Sequence, residues 1–187
     1  MVQLVLFCGY DAKHQFIFDV SPLNPANNIN AGMAGVNRSN VYTLDAGPAM
    51  LEVQLAMARK LATAVQHHDN VIFELVFTSI GTEAKWAAQV AAAVRAADPD
   101  SLIVVPREWV QAMPFTAGIL ANCGAGSNCS DAAGAIRPPA DAGRPVLLDS
   151  ASAAAAGKTP SEVAQLYREM YWRWMLDGGA VVYNLDW

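Results

Sequence analysis

Between His67 and Thr78 the chain reads HHDNVIFELVFT. Val71, Ile72, Phe73, Leu75 and Val76 form a nearly continuous apolar run that only Glu74 interrupts. Strands buried on both faces read this way, because helices cover both sides of a parallel sheet. The spacing predicts a strand over Asn70–Phe77. The segments on either side carry the complementary signal. In Pro48–His67, Leu51, Leu55, Ala58, Leu61 and Val65 share one helical face, with Glu52, Arg59 and Lys60 away from its centre. Beyond the strand, Thr82 is placed to cap a helix in which Trp86, Val90 and Val94 repeat at i+4, and Asp98-Pro99 ends it.

The alternation extends along the chain. Val2–Cys8 is a short apolar run closed by Gly9, and predicts a buried strand. A long Asn-rich loop is expected from Tyr10 to Gly47. Further strands are predicted at Ser101–Val105, briefly near Gly118–Ala121, at Arg144–Asp149 and at Ala180–Leu185. Thr159-Pro160-Ser161-Glu162 is a capping box with proline at the first helical position. The helix it opens carries Leu166, Met170 and Trp174 as its buried stripe, and Asp177-Gly178-Gly179 ends it. Strands alternating with helices imply an α/β fold with a parallel sheet. No short-period repeat appears beyond that alternation, and one domain spanning 1–187 is expected.

Composition excludes several classes. Hydrophobic residues make up 53% and charged residues 16% of the 187 positions. Soluble domains average roughly 45–50% and 25%, so the chain has enough apolar surface to fold and is not a disordered protein. The net charge of −5, with no basic run, argues against a nucleic-acid partner. The apolar start, Val2–Cys8, is far shorter than the roughly 20 residues of a membrane span. It also lacks the basic head and cleavage site of a secretory signal. The compartment stays open. Three cysteines do not make a disulfide framework or a zinc pattern. Cys8 is expected as a small buried hydrophobe; Cys123 and Cys129 flank a loop and read as free thiols, or as a bridge in an oxidising compartment.

Five stretches, taken in order, carry a family resemblance. They are VQLVLFCGY (2–10), SPLNPANNIN (21–30), HHDNVIFELV (67–76), RPPADAGRPVLLDS (137–150) and YWRWMLDGGAVVYNLDW (171–187). The third resembles DLDNVIYEISNE, a fourth-strand segment of (β/α)₈-barrel glycosidases. Together the stretches are similar to the apiosidase-like group of glycoside hydrolases, within the clan of retaining barrel enzymes. The resemblance covers nearly the whole chain. It implies an incomplete TIM-barrel-like parallel sheet with flanking helices, running from the third strand to the eighth. A full barrel takes about 250 residues, so the first two βα units and the last helix are expected to be missing. The open edges would be a liability, and a homo-oligomer that covers them is expected.

The resemblance also places chemistry, and there the chain departs from the pattern. Glycoside hydrolysis normally needs two carboxyl groups across the scissile bond. The clan's acid is the Glu of an Asn-Glu pair ending strand four. Here those positions are Phe77-Thr78, and threonine supplies no proton near neutral pH. Asp149, at the end of the strand that matches the seventh, is the expected first carboxylate, as nucleophile, base or metal ligand; capping the following loop is its structural alternative. Glu74 is the second candidate. A buried carboxylate needs a partner or a raised pKa, so it is an acid or base, or the partner of an arginine on a neighbouring strand. Asp186, in YNLDW, faces the same end, and His14, with Asp11 and Asp19 nearby, is the histidine best placed for chemistry. His67 and His68 precede the strand at the opposite end and suit the helix dipole instead.

Substrate contacts are expected from Tyr10, Asn28, Asn30, Phe77, Thr78 and Trp187. Asparagine amides offer sugar hydroxyls donors and acceptors together, and they also suit plain turns. The same loop, with Asp45 or Asp19, has oxygens that could hold calcium, although no EF-hand spacing is present. Tyr42 and Trp109 join the aromatics available for ring stacking, whereas Trp86, Trp172 and Trp174 sit on helices and belong to the outer core. No Gly-x-Ser-x-Gly elbow, Walker loop or dinucleotide fingerprint occurs, and no cofactor is expected. Three readings of function follow: a glycoside hydrolase-like enzyme with a degenerate site, a repurposed hydrolase of small esters or lactones in which a carboxylate or a bound metal activates water, and a carbohydrate-binding pseudoenzyme.

Overall fold

A computed structural model describes residues 2–8, 15–29, 33–76, 82–106, 109–122, 146–150, 159–176 and 180–181. In chain order the elements are β1 (Val2–Phe7), α1 (Gln15–Val20), α2 (Pro48–Val65), β2 (Val71–Val76), α3 (Ala84–Ala97), β3 (Leu102–Pro106), β4 (Gly118–Asn122), β5 (Val146–Ser150), α4 (Pro160–Leu176) and β6 (Ala180–Val181). A 3₁₀ turn, Leu44–Ala46, precedes α2. The chain divides into two compact units, Met1–Ile103 with Gln111–Pro114, and Val104–Val110 with Phe115–Trp187.

In the first unit β1 pairs with β2 in parallel, from Val2 opposite Val71 to Phe7 opposite Val76. In the second, β3–β4, β4–β5 and β5–β6 are all parallel, with an irregularity between Ala121 and Asn122. Parallel neighbours need a crossover between them, and α2 and α4 supply helical ones. The fold is therefore α/β with a parallel sheet, as the near-continuous apolar strands imply. No helix among the described residues is long and apolar enough to cross a membrane.

Local sequence explains most boundaries. Thr159 and Glu162 form the reciprocal box that opens α4: Thr159 donates its backbone N–H and its hydroxyl to Glu162 Oε2 at 2.8 and 2.7 Å, and Glu162 N–H donates to Thr159 Oγ1 at 3.4 Å. Pro48 starts α2 after Gly47, whose φ of 87° lies where glycine alone is comfortable. Asp98 ends α3 through its N–H to the Val94 carbonyl.

Several expectations need correction. The loop after β1 is not structureless: it contains α1 and a series of turns closed by asparagine side chains. The fully buried stripe of α2 is Met50, Gln54, Ala58 and Ala62, so it includes a glutamine, while Leu51, Leu55, Leu61 and Val65 are half-buried beside it. The N-cap of α3 is Glu83, not Thr82, and makes no side-chain cap bond. Its buried face is Trp86, Ala87, Val90, Ala91, Ala93 and Val94. Trp174 is buried on α4 as expected, but Trp172 is 61% exposed, with Met175 and Leu176 beside it on the same face. Cys8 is exposed: it lies one residue past the last buried position of β1. Val2 and Val5 are exposed too, because among the described residues β1 pairs on one side only, with β2.

Candidate functional site

The C-terminal end of the β1–β2 pair is organised by an aromatic cluster. Phe7 closes β1, Tyr42 sits in the turn before α2, and Trp86 lies in the first turn of α3. Their ring centroids are 5.1–5.6 Å apart in tilted and edge-on arrangements, the geometry that ring quadrupoles favour. Each polar tip has an acceptor. Tyr42 donates its hydroxyl to the Cys8 carbonyl at 2.9 Å, and Trp86 donates its indole N–H to Gln54 Oε1 at 2.8 Å. Gln54 then donates Nε2 to the Val41 carbonyl at 2.7 Å. One buried glutamine thus joins α2, α3 and the segment before α2.

The same segment is tied to the start of α3. Tyr42 bridges Thr82, Glu83 N–H donates to the Tyr42 carbonyl at 3.0 Å, and Leu44 N–H donates to Glu83 Oε2 at 2.9 Å. The connections after β1 and β2 are therefore clamped together at the end where barrel-type enzymes hold their reacting groups.

Below this cluster lies Glu74. It is 1% exposed, and its carboxylate Oε2 accepts from Gln3 Nε2 on β1. A neutral amide on the adjacent strand is thus one partner of this carboxylate. In β2 Glu74 stands two residues before the strand's last residue, Val76. Asp149 is the penultimate residue of β5, between Leu148, opposite Ala121, and Ser150, opposite Asn122. Of the remaining expected residues, Asn28 donates its side-chain N–H to the Pro22 carbonyl at 2.8 Å. Tyr10, His14, Asn30, Phe77, Thr78, Asp186 and Trp187 lie outside the described residues, as do Asp11, Cys123 and Cys129.

The other expectations divide. Tyr42 and Trp109 are 3% and 5% exposed, so neither presents a ring face for a sugar; both are core. The asparagines make turns. Asn27 Nδ2 donates to the Asp19 and Ser21 carbonyls, and the carboxamide oxygens of Asn24, Asn37 and Asn40 accept backbone N–H groups nearby. Among the described residues no three of His, Cys, Asp and Glu converge as a metal site, and Asp19 and Asp45 are both exposed.

A small cavity of about 50 Å³ opens at the opposite end of β2 and β3, lined in part by His68, Asp69, Asp98, Asp100 and Ser101. A water needs roughly 10–15 Å³ measured this way, so the hollow takes a few waters and not a sugar ring. His68 belongs to this end, as its position before the strand implies.

Sequence reasoning missed Gln54, Gln3 and Glu83. A hydropathy stripe treats any glutamine as surface, and nothing local marks one that bridges two buried groups. The available signal was position: Gln54 falls at i+4 from Met50 and i−4 from Ala58, inside the apolar face. Beyond the geometry, comparison adds no relative: no family model matches the chain, and no curated protein and no solved structure matches it significantly.

Proposed function

We propose that the chain is a glycoside hydrolase-like hydrolase on an incomplete TIM-barrel-like parallel sheet, with a degenerate carboxylate site at the C-terminal ends of the strands. Asp149 is one carboxylate and Glu74 the other, with His14 or Asp186 assisting. A carbohydrate or other small molecule is the substrate, and Tyr10, Asn28, Asn30, Phe77, Thr78 and Trp187 are its contacts. The observation that carries the reading is the position of Asp149, next to the C-terminal end of a parallel strand. Parallel α/β sheets place their chemistry at that end. A retaining mechanism is not part of the proposal, since Thr78 stands at the acid position. A second copy covering the exposed edge at Val2 and Val5 completes the reading.

A non-catalytic carbohydrate-binding role is the second reading. The burial of Glu74 against Gln3 favours it, because a carboxylate with 1% exposure does not meet a substrate without rearrangement.

One experiment separates the two. The purified chain is screened on aryl glycosides, aryl esters and lactones, with and without EDTA, beside Asp149→Ala. The hydrolase reading expects turnover that falls by about 10²-fold or more in Asp149→Ala, the scale of a lost acid–base group. No turnover from a chain that melts cooperatively overturns it in favour of binding.

A further inference from the structure

The paired strands β1 and β2 read VQLVLF and VIFELV, with one polar residue each. Side chains alternate across a strand. One face of β1 therefore carries Gln3, Val5 and Phe7, and the other carries Val2, Leu4 and Leu6. Both faces are apolar in bulk. A slip of one residue exchanges them, yet here it would bury nearly the same kind of surface. The connection does not set the register either. It is a long crossover through α1 and α2, unlike a two-residue hairpin turn, which dictates pairing.

The polar residues do discriminate. In the observed register Val5 lies opposite Glu74 and Gln3 opposite Ile72, so Gln3 and Glu74 share a face, two positions apart along the pair. There the Gln3 amide donates to Glu74 Oε2. A slip of one residue would carry Gln3 to the other face and take this donor from a carboxylate that is almost fully buried, and losing a hydrogen bond to a buried charged group costs stability. The other end of the amide, Gln3 Oε1, is itself buried without a hydrogen-bond partner among the described residues. A contact that leaves its own acceptor unmet is poorly explained as a gain in stability. Buried polar pairs of this sort are better attested as devices that select one arrangement over its neighbours.

We infer that Gln3 and Glu74 form a register clasp: the pair selects the alignment of β1 on β2 at the cost of some stability. The clasp holds whether or not Glu74 also takes part in chemistry.

The test uses the full chain as Gln3→Leu and as the double variant Gln3→Leu/Glu74→Leu. Urea unfolding and amide NMR are recorded for both. Gln3→Leu is expected to lower the urea midpoint, because it leaves the carboxylate without this donor. The double variant is expected to regain the original midpoint or exceed it, while the amide signals of β1 and β2 split or broaden as registers mix. A double variant with one sharp set of signals and the original cross-strand contacts between Leu4 and Phe73 overturns the inference. So does a Gln3→Leu chain with an unchanged midpoint. If Gln3→Leu alone does not fold, the double variant still decides the matter.

Discussion

Trp86 and Trp174 are each fully buried, and each donates its indole N–H, but to acceptors of different kinds. Trp86 bonds a side chain, Gln54 Oε1, at 2.8 Å. Trp174 bonds a main-chain group, the Val146 carbonyl, at 3.2 Å. Their surroundings differ as well. Trp86 lies on a helix face that is buried along its length and stacks with Phe7 and Tyr42. Trp174 is flanked on α4 by the exposed Trp172 and Met175. In the first unit a replaceable side chain holds three segments together. In the second, the indole fastens a helix to a strand that would form its ladder anyway. The first arrangement is more specific and more easily broken.

Substitutions sharpen the contrast. Gln54→Leu leaves two buried groups unmet, the Val41 carbonyl and the Trp86 indole. At about 1–3 kcal/mol for each orphaned group, it should cost about 2–6 kcal/mol in urea unfolding. Trp174→Phe leaves only the Val146 carbonyl without this donor. It should cost less, about 1–3 kcal/mol, from the lost bond and the reduced volume together. Equal losses in the two variants would end the comparison. The smallest effect is at the start of α4. Thr159→Ala removes the hydroxyl half of the box, and a cost of about 1 kcal/mol is expected. No measurable change there would mean that the box adds nothing to the stability of α4.

The strands and the main helices were legible because their signals are local. Trp86, Val90 and Val94 repeat at helical spacing, and all three are buried where the repeat implies. The box at Thr159–Glu162 forms with the partners its spacing requires. What escaped is what depends on distant partners. Gln54 reads as a surface residue until Val41 and Trp86 supply its bonds. Glu74 reads as a buried carboxylate in need of a partner, and only the β1–β2 register reveals that Gln3 is one. The aromatics Tyr42 and Trp109 have the chemistry of a sugar platform, but only tertiary packing reveals that their faces are covered. The α1 turn was missed for another reason. Gln15–Val20 leaves Phe16 and Val20 exposed and is six residues long, too short for a periodic pattern to emerge. Asp149 was legible as a strand-end carboxylate from the run VLLDS, and it stands one residue from the end of β5.

Half of the buried face of α3 is alanine: Ala87, Ala91 and Ala93, beside Val90 and Val94. Alanine has no rotamers to freeze, and valine in a helix already keeps to one. Docking this face therefore loses little side-chain freedom, and most of that loss falls on a single residue, Trp86. Such a surface sets readily but adapts badly. It has no long, flexible chain that could swing into a gap, so a change at Trp86 has to be answered by its partners Phe7, Tyr42 and Gln54 on other segments, or it is not answered at all.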